Sequence, residues 1–153
     1  MAADSSAPLL PPALAALLPA TDMFAPGAAR GLPARPGAYL LACRLDSTLS
    51  PRIPSLGAAS LAPGWYLYAG SANGPGGIAA RLGRHLGASG RRHWHIDAVT
   101  ANAGARAGFA FPGGDECALV AALLASGAFS IPLPGFGSSD CRTCQSHLLR
   151  WVG

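Results

Sequence analysis

The hydrophobic pattern changes its period several times along the chain. "GAYLLACRL" (37–45) and "WYLYAG" (65–70) are apolar with enough alternation to predict two strands. The segment between them, "DSTLSPRIPSLGAASLAPG", is rich in turn formers, with room for a short middle strand around Ile53. "GPGGIAARLGRHLGASG" then predicts a helix. Pro75 and its glycines open it, Gly87 and Gly90 close it, and Ile78, Leu82 and Leu86 recur four apart as an apolar stripe. Arg81, Arg84 and His85 flank that stripe. "HWHIDAVTANA" and "ARAGFAF" read as two short strands or a hairpin turning around Asn102 to Gly104. In that reading His93 and His95 share one strand face, with Trp94 opposite. "GDECALVAALLASG" predicts a second helix, capped near Asp115 and stopped at Gly127. The last stretch, "IPLPGFGSSDCRTCQSHLLRWVG", is a turn-rich loop followed by a short strand or helix. Residues 1–36 are Ala/Pro-rich and predict a flexible tail, with one or two helical turns at "ALAALL". Residues 37–153 form the expected folded domain, of mixed α/β class.

Composition narrows this picture. With 153 residues, 50% hydrophobic and 12% charged, the chain suits one domain with a true core plus a tail. The net charge is +4, and all eleven basic residues are arginines. That charge permits an acidic partner such as nucleic acid, and arginine is the better fork for phosphate. No apolar run reaches the roughly 20 residues of a membrane span. The first residues lack the basic stretch of a secretory signal, so a cytoplasmic location is expected. In that compartment the four cysteines do not predict a disulfide framework.

Several residues could carry chemistry. Tyr39 or Tyr68 alone reads as a core tyrosine with a bonded hydroxyl. Two of them beside an arginine-bearing helix suggest more. An arginine favours the phenolate, and a tyrosinate, or a water bonded to a tyrosine, can deprotonate a nucleophile. Glu116, the sole glutamate, sits at a helix start. It serves either the helix dipole or a hard cation such as Mg²⁺, which needs one or two carboxylates plus water and phosphate oxygens. Arg91, Arg92, His93 and His95 form either a solvated basic edge or a wall that touches phosphate. Cys141, Cys144 and His147 recur at three-residue intervals, and with Cys117 could make a zinc site. The plainer alternative makes Cys117 a small core residue and the others reduced thiols.

Taken in order, these residues resemble the GIY-YIG nuclease signature: Gly37-Ala38-Tyr39, then Tyr68-Ala69-Gly70-Ser71, then Arg81, Arg84 and His85. "YAGSA", "RLGRH", "HWHID", "EC" and "GFGSSDC…SHL" are similar, in this order, to the Uri-type prokaryotic branch. The resemblance covers roughly Gly37 to Leu149. It implies a central three-stranded antiparallel sheet flanked by helices, and phosphodiester cleavage with one divalent metal, Mg²⁺ or Mn²⁺. By the same resemblance Tyr39 and Tyr68 are the two signature tyrosines, and Tyr39 activates the attacking water. Arg81 steadies the scissile phosphate, His85 assists proton transfer, and Glu116 holds the metal. Gly70 lets the backbone turn beside the site. The signature's β-branched positions are here Ala38 and Ala69, which predicts a repacked sheet. Arg84, Arg91, Arg92, His93 and His95 are the expected nucleic-acid contacts. DNA is favoured over RNA, with no obligate protein partner and no membrane. The rival expectations are a non-catalytic nucleic-acid-binding module of the same fold, and a protein-interaction domain with structural zinc at Cys141, Cys144 and His147.

Overall fold

The computed structural model describes residues 10–19, 21–87, 95–137 and 143–153. Among them, six strands form one sheet, in the order β1-β4-β2-β3-β6-β5, with antiparallel pairing throughout. The strands are β1 (Met23–Phe24), β2 (Gly37–Leu45), β3 (Gly64–Ser71), β4 (Ala105–Pro112), β5 (Phe129–Ser130) and β6 (Leu148–Trp151). The helices are α1 (Pro12–Ala15), α2 (Gly77–Leu86), α3 (Ile96–Thr100) and α4 (Glu116–Ala125). The mixed class with an antiparallel sheet is as expected, but the sheet has six strands rather than three. Two of the additional strands, β1 and β5, are only two residues long, too short for any alternation to register.

Burial on both sides explains the near-continuous apolar runs of β2 and β3. Along β2 every residue except Arg44 is buried. Tyr39, Leu41 and Cys43 point to one face with Tyr66 and Tyr68 of β3. Leu40 and Ala42 point to the other, with Leu67 and Ala69. Ile78, Leu82 and Leu86 of α2 and Ile96 and Val99 of α3 cover the tyrosine face. Val120 and Leu123 of α4 and Leu10 and Leu14 at α1 cover the opposite face.

Three expectations are corrected here. The described part of the 1–36 segment is docked. Leu14 is fully buried, and β1 pairs with β4 through Met23–Phe109 and Phe24–Gly108. The prolines limit α1 to one turn, and packing holds it there. "HIDAVT" forms α3 and not a strand, because Ile96 and Val99, three apart, both face the core. Around Ile53 there is no middle strand. Pro54–Leu56 makes a 3-10 turn, and an isolated bridge joins Leu49 to Leu61.

No helix among the described residues is long and apolar enough to cross a membrane.

Candidate active site and metal cluster

Strand register brings the two tyrosines together. Tyr39 pairs with Gly70 and Leu41 with Tyr68, which sets both phenols on one face of neighbouring strands. Their ring centroids are 6.3 Å apart. Tyr39 needs the glycine opposite it: a Cβ on Gly70 would run into the Tyr39 ring. Gly70 therefore lies within β3 and makes room for a ring, whereas the chain turns later, at Gly74 to Gly77. Gly70→Ala is expected to displace that ring and lower stability by about 1–3 kcal/mol, readable as a shift in the urea midpoint.

The helix α2 delivers His85 over these rings. Its expected place flanking the stripe is revised, since His85 is only 2% exposed and joins Ile78, Leu82 and Leu86 on the buried side. The Tyr39 hydroxyl lies 2.9 Å from His85 Nε2, and the His85 ring lies tilted against Tyr39 and edge-on to Tyr68. On its other side His85 Nδ1 faces Asp97 Oδ1 at 3.6 Å. Asp97 also takes a two-pronged ion pair from Arg84, whose Nη1 and Nη2 donate to Oδ1 and Oδ2 at 3.0 and 2.9 Å. Arg84, expected to grip nucleic acid, thus commits its fork to Asp97. Asp97 was not among the site residues expected from the sequence, although it closes the "HWHID" motif. The signal lay in the one carboxylate beside those histidines.

Arg81 Nη1 donates to the Ser71 carbonyl at 2.9 Å, fixing the helix to the end of β3. Its charge acts on both phenols, while that of Glu116, the first residue of α4, acts on Tyr68. The N-cap Asp115 accepts a bond from Ala118 N–H at 2.8 Å, which fixes the start of that helix.

Burial decides the ionisation of the site. It pushes the Tyr39 hydroxyl far above the ordinary phenol value, helped by the neighbouring Tyr68, and Arg81 only partly offsets this. Tyr68 is pushed up to about 12, again by burial first. The expected arginine-stabilised tyrosinate is corrected accordingly: both phenols keep their protons at neutral pH. His85 is pushed down to about 4 by burial, with Asp97 opposing the shift. It is therefore neutral at pH 7. A protonated phenol donates, so Nε2 accepts from Tyr39, and the ring proton rests on Nδ1 facing the carboxylate.

A depressed histidine value has a stability consequence. Below its unfolded value of 6.5 the unfolded chain takes up a proton that the folded chain refuses down to about 4. Stability therefore falls as pH drops through that window, by about 3 kcal/mol in all. Chemical denaturation between pH 7 and pH 4 should show this slope, and His85→Gln should flatten it.

A turn over residues 133–137 roofs Tyr68. The Phe136 ring meets Tyr68 edge-on at 6.3 Å, and a Cβ on Gly137 would strike the Tyr68 ring. His95 secures this roof. Its Nδ1 accepts from Gly137 N–H at 2.9 Å and its ring meets Phe136 edge-on. Arg91, Arg92 and His93 lie outside the described residues.

A separate cluster sits on the α4 side of the sheet. One ligand atom each from Cys117, Cys144 and His147 lies within 4.8 Å of the others, so the group could hold a metal ion. Cys141, expected in the set, lies outside the described residues, while Cys117, also expected there, does lie with Cys144 and His147. The fourth cysteine, Cys43, is buried in the core, with a thiol pushed up to about 12 by burial, and takes no part.

The family described as "Domain of unknown function DUF123" matches residues 38–152. The chain belongs to this family. No curated protein and no solved structure matches it. The DUF123 match runs from the second residue of β2 to just past β6, so it takes in Tyr39, Tyr68, Arg81, His85, Asp97 and Glu116 together with the cysteine–histidine cluster.

Proposed function

We propose that this DUF123 domain is a divalent-metal-dependent endonuclease of the GIY-YIG kind, hydrolysing phosphodiester bonds in nucleic acid, DNA ahead of RNA, in the cytoplasm. The observation that carries the reading is the Tyr39 hydroxyl 2.9 Å from a neutral His85 Nε2. Tyr68 lies beside both rings, and Arg81 and Glu116 act electrostatically on the tyrosines.

The residues fit a hard cation such as Mg²⁺ or Mn²⁺. Glu116 offers a half-buried carboxylate whose charge is felt at Tyr68. One such carboxylate, with waters and substrate phosphate oxygens, is a common Mg²⁺ arrangement. When bound, the ion supplies charge neutralisation at the phosphate.

The chain's own groups then divide the work. A neutral phenol is a poor base by itself, but Tyr39 can take a proton from water as it passes its own to His85 Nε2. The imidazolium so formed is stabilised by Asp97, which faces Nδ1. Arg84 in turn fixes Asp97 in place through its two-pronged ion pair. Arg81, anchored on the Ser71 carbonyl, places positive charge by the tyrosines, where it can balance charge growing on the phosphate. Tyr68, held protonated, is suited to donate a hydrogen bond to a phosphate oxygen.

The test is cleavage of supercoiled plasmid, single-stranded DNA, branched DNA and RNA with Mg²⁺ or Mn²⁺. The native chain is compared with Tyr68→Phe, Arg81→Ala and Glu116→Ala. The expected result is cutting that drops at least about 100-fold in each variant. Cutting that survives in all three overturns the assignment, and salt-sensitive binding without cutting replaces it with the binding module.

A further inference from the structure

We propose that Cys117, Cys144 and His147 bind a zinc ion that fastens the first turn of α4 to the chain segment entering β6. This site adjoins the hard-cation position at Glu116 but uses other ligands, and it stands whether or not the chain cuts nucleic acid.

The geometry fits the ion. Tetrahedral zinc with Zn–S near 2.3 Å and Zn–N near 2.0 Å requires its sulfur and nitrogen ligands to lie about 3.5–3.8 Å apart. Cys117 Sγ and His147 Nε2 are 3.8 Å apart, and the full set is within 4.8 Å. Small rotations of the cysteine side chains close the remainder. Two sulfurs and one imidazole nitrogen are a soft set that selects zinc over Mg²⁺ or Ca²⁺. The three ligands among the described residues leave the fourth tetrahedral position for a further donor.

The surroundings are built for such a site. His147 is buried and held at both backbone groups: its carbonyl accepts from Ala69 N–H and its N–H donates to the Phe136 carbonyl, each at 2.9 Å. Its ring is thus placed by β3 and by the roof over Tyr68. Cys117 is the second residue of α4, whose start is fixed by the Asp115 cap. Cys117 and Cys144 border a 260 Å³ cavity whose wall includes Val120, Leu124 and Ile131. Apolar walls strengthen the attraction between thiolate and cation. On binding, each of the two thiols releases its proton to solvent, so affinity rises with pH.

The site ties together elements far apart in sequence. Cys117 and His147 are 30 residues apart and belong to different layers of the fold. The zinc clamp also fixes the residue next to Glu116, whose side-chain Oε1 lies 4.0 Å from Cys117 Sγ.

The full chain, purified without chelators, should carry about one zinc per molecule by mass-spectrometric metal analysis. Cys117→Ser, Cys144→Ser and His147→Ala should each reduce this at least about tenfold. A readout independent of folding variants uses the native chain. Zinc is removed with a chelator and Co²⁺ added. Thiolate-to-cobalt charge-transfer absorption in the near ultraviolet, with intense visible bands of tetrahedral cobalt, is the expected result. Free-thiol titration should fall by two per chain on metal binding and recover on chelation. The proposal is overturned by native protein that lacks zinc and gives no thiolate–cobalt band. It is equally overturned by a disulfide between Cys117 and Cys144, or by zinc retained in all three variants.

Discussion

Tyr39→Phe is expected to lower metal-dependent cleavage by about 100- to 10,000-fold, the contribution of a positioned proton-transfer group. The substitution removes one oxygen and keeps the ring that rests over Gly70. What disappears is the hydroxyl bonded to His85 Nε2. Because that bond is buried, its loss should also lower stability, by about 1–3 kcal/mol. A folded domain tolerates that loss at assay temperature, so the two effects can be measured separately. Single-turnover cleavage reads the first and urea unfolding the second. The pH profile adds a readout that simple destabilisation would not move. Cleavage by the native chain should hold down toward pH 4, the value at which His85 charges, and not fall off near 6.5. Undiminished cutting by Tyr39→Phe would remove Tyr39 from the chemistry.

The largest stability effect is expected at Asp97. Its side chain is 7% exposed and meets Arg84, 20% exposed, through two bonds. Asp97→Ala removes one partner of a mostly buried pair and leaves the Arg84 charge next to His85. The cost should be about 3 kcal/mol, at the lower end of the range for such pairs because Arg84 is partly wet. For a domain of this size that is roughly a 6–12 °C fall in Tm. Arg84→Ala should cost less, and the double variant should cost less than the sum, since one bridge is being broken twice. A loss below about 1 kcal/mol in Asp97→Ala would mean that solvent screens the pair as it does a surface bridge.

Periodicity revealed the long elements well. "GAYLLACRL" coincides with β2 residue for residue, and the Ile78-Leu82-Leu86 stripe gives α2 its buried side. "GDECALVAALLASG" contains α4 with its Asp115 cap. The pattern failed where an element is short. Ile96 and Val99 suit a helix turn as well as part of an alternation, and "HWHID" has only five residues in which to decide. The site was legible as a set of residue types, because tyrosines on paired strands and basic residues on the following helix are visible in order. Its ionisation was not. An arginine nearby argues for a phenolate and burial argues against it, and burial depends on α2, α3 and the 133–137 turn closing over the rings. The role of Asp97 was hidden for a related reason. Its partners Arg84 and His85 lie on another helix, across a stretch that shows no fixed spacing.

The strand order has a further consequence. The outermost strands, β1 and β5, are each two residues long, while the long apolar strands β2 and β3 are paired on both sides. A sheet recruits foreign chains through runs of unpaired backbone groups at its margins, and short margins deny them a template. The apolar strands β2 and β3 are thus kept from templating self-association in the folded state by their place inside the sheet, between β4 and β6.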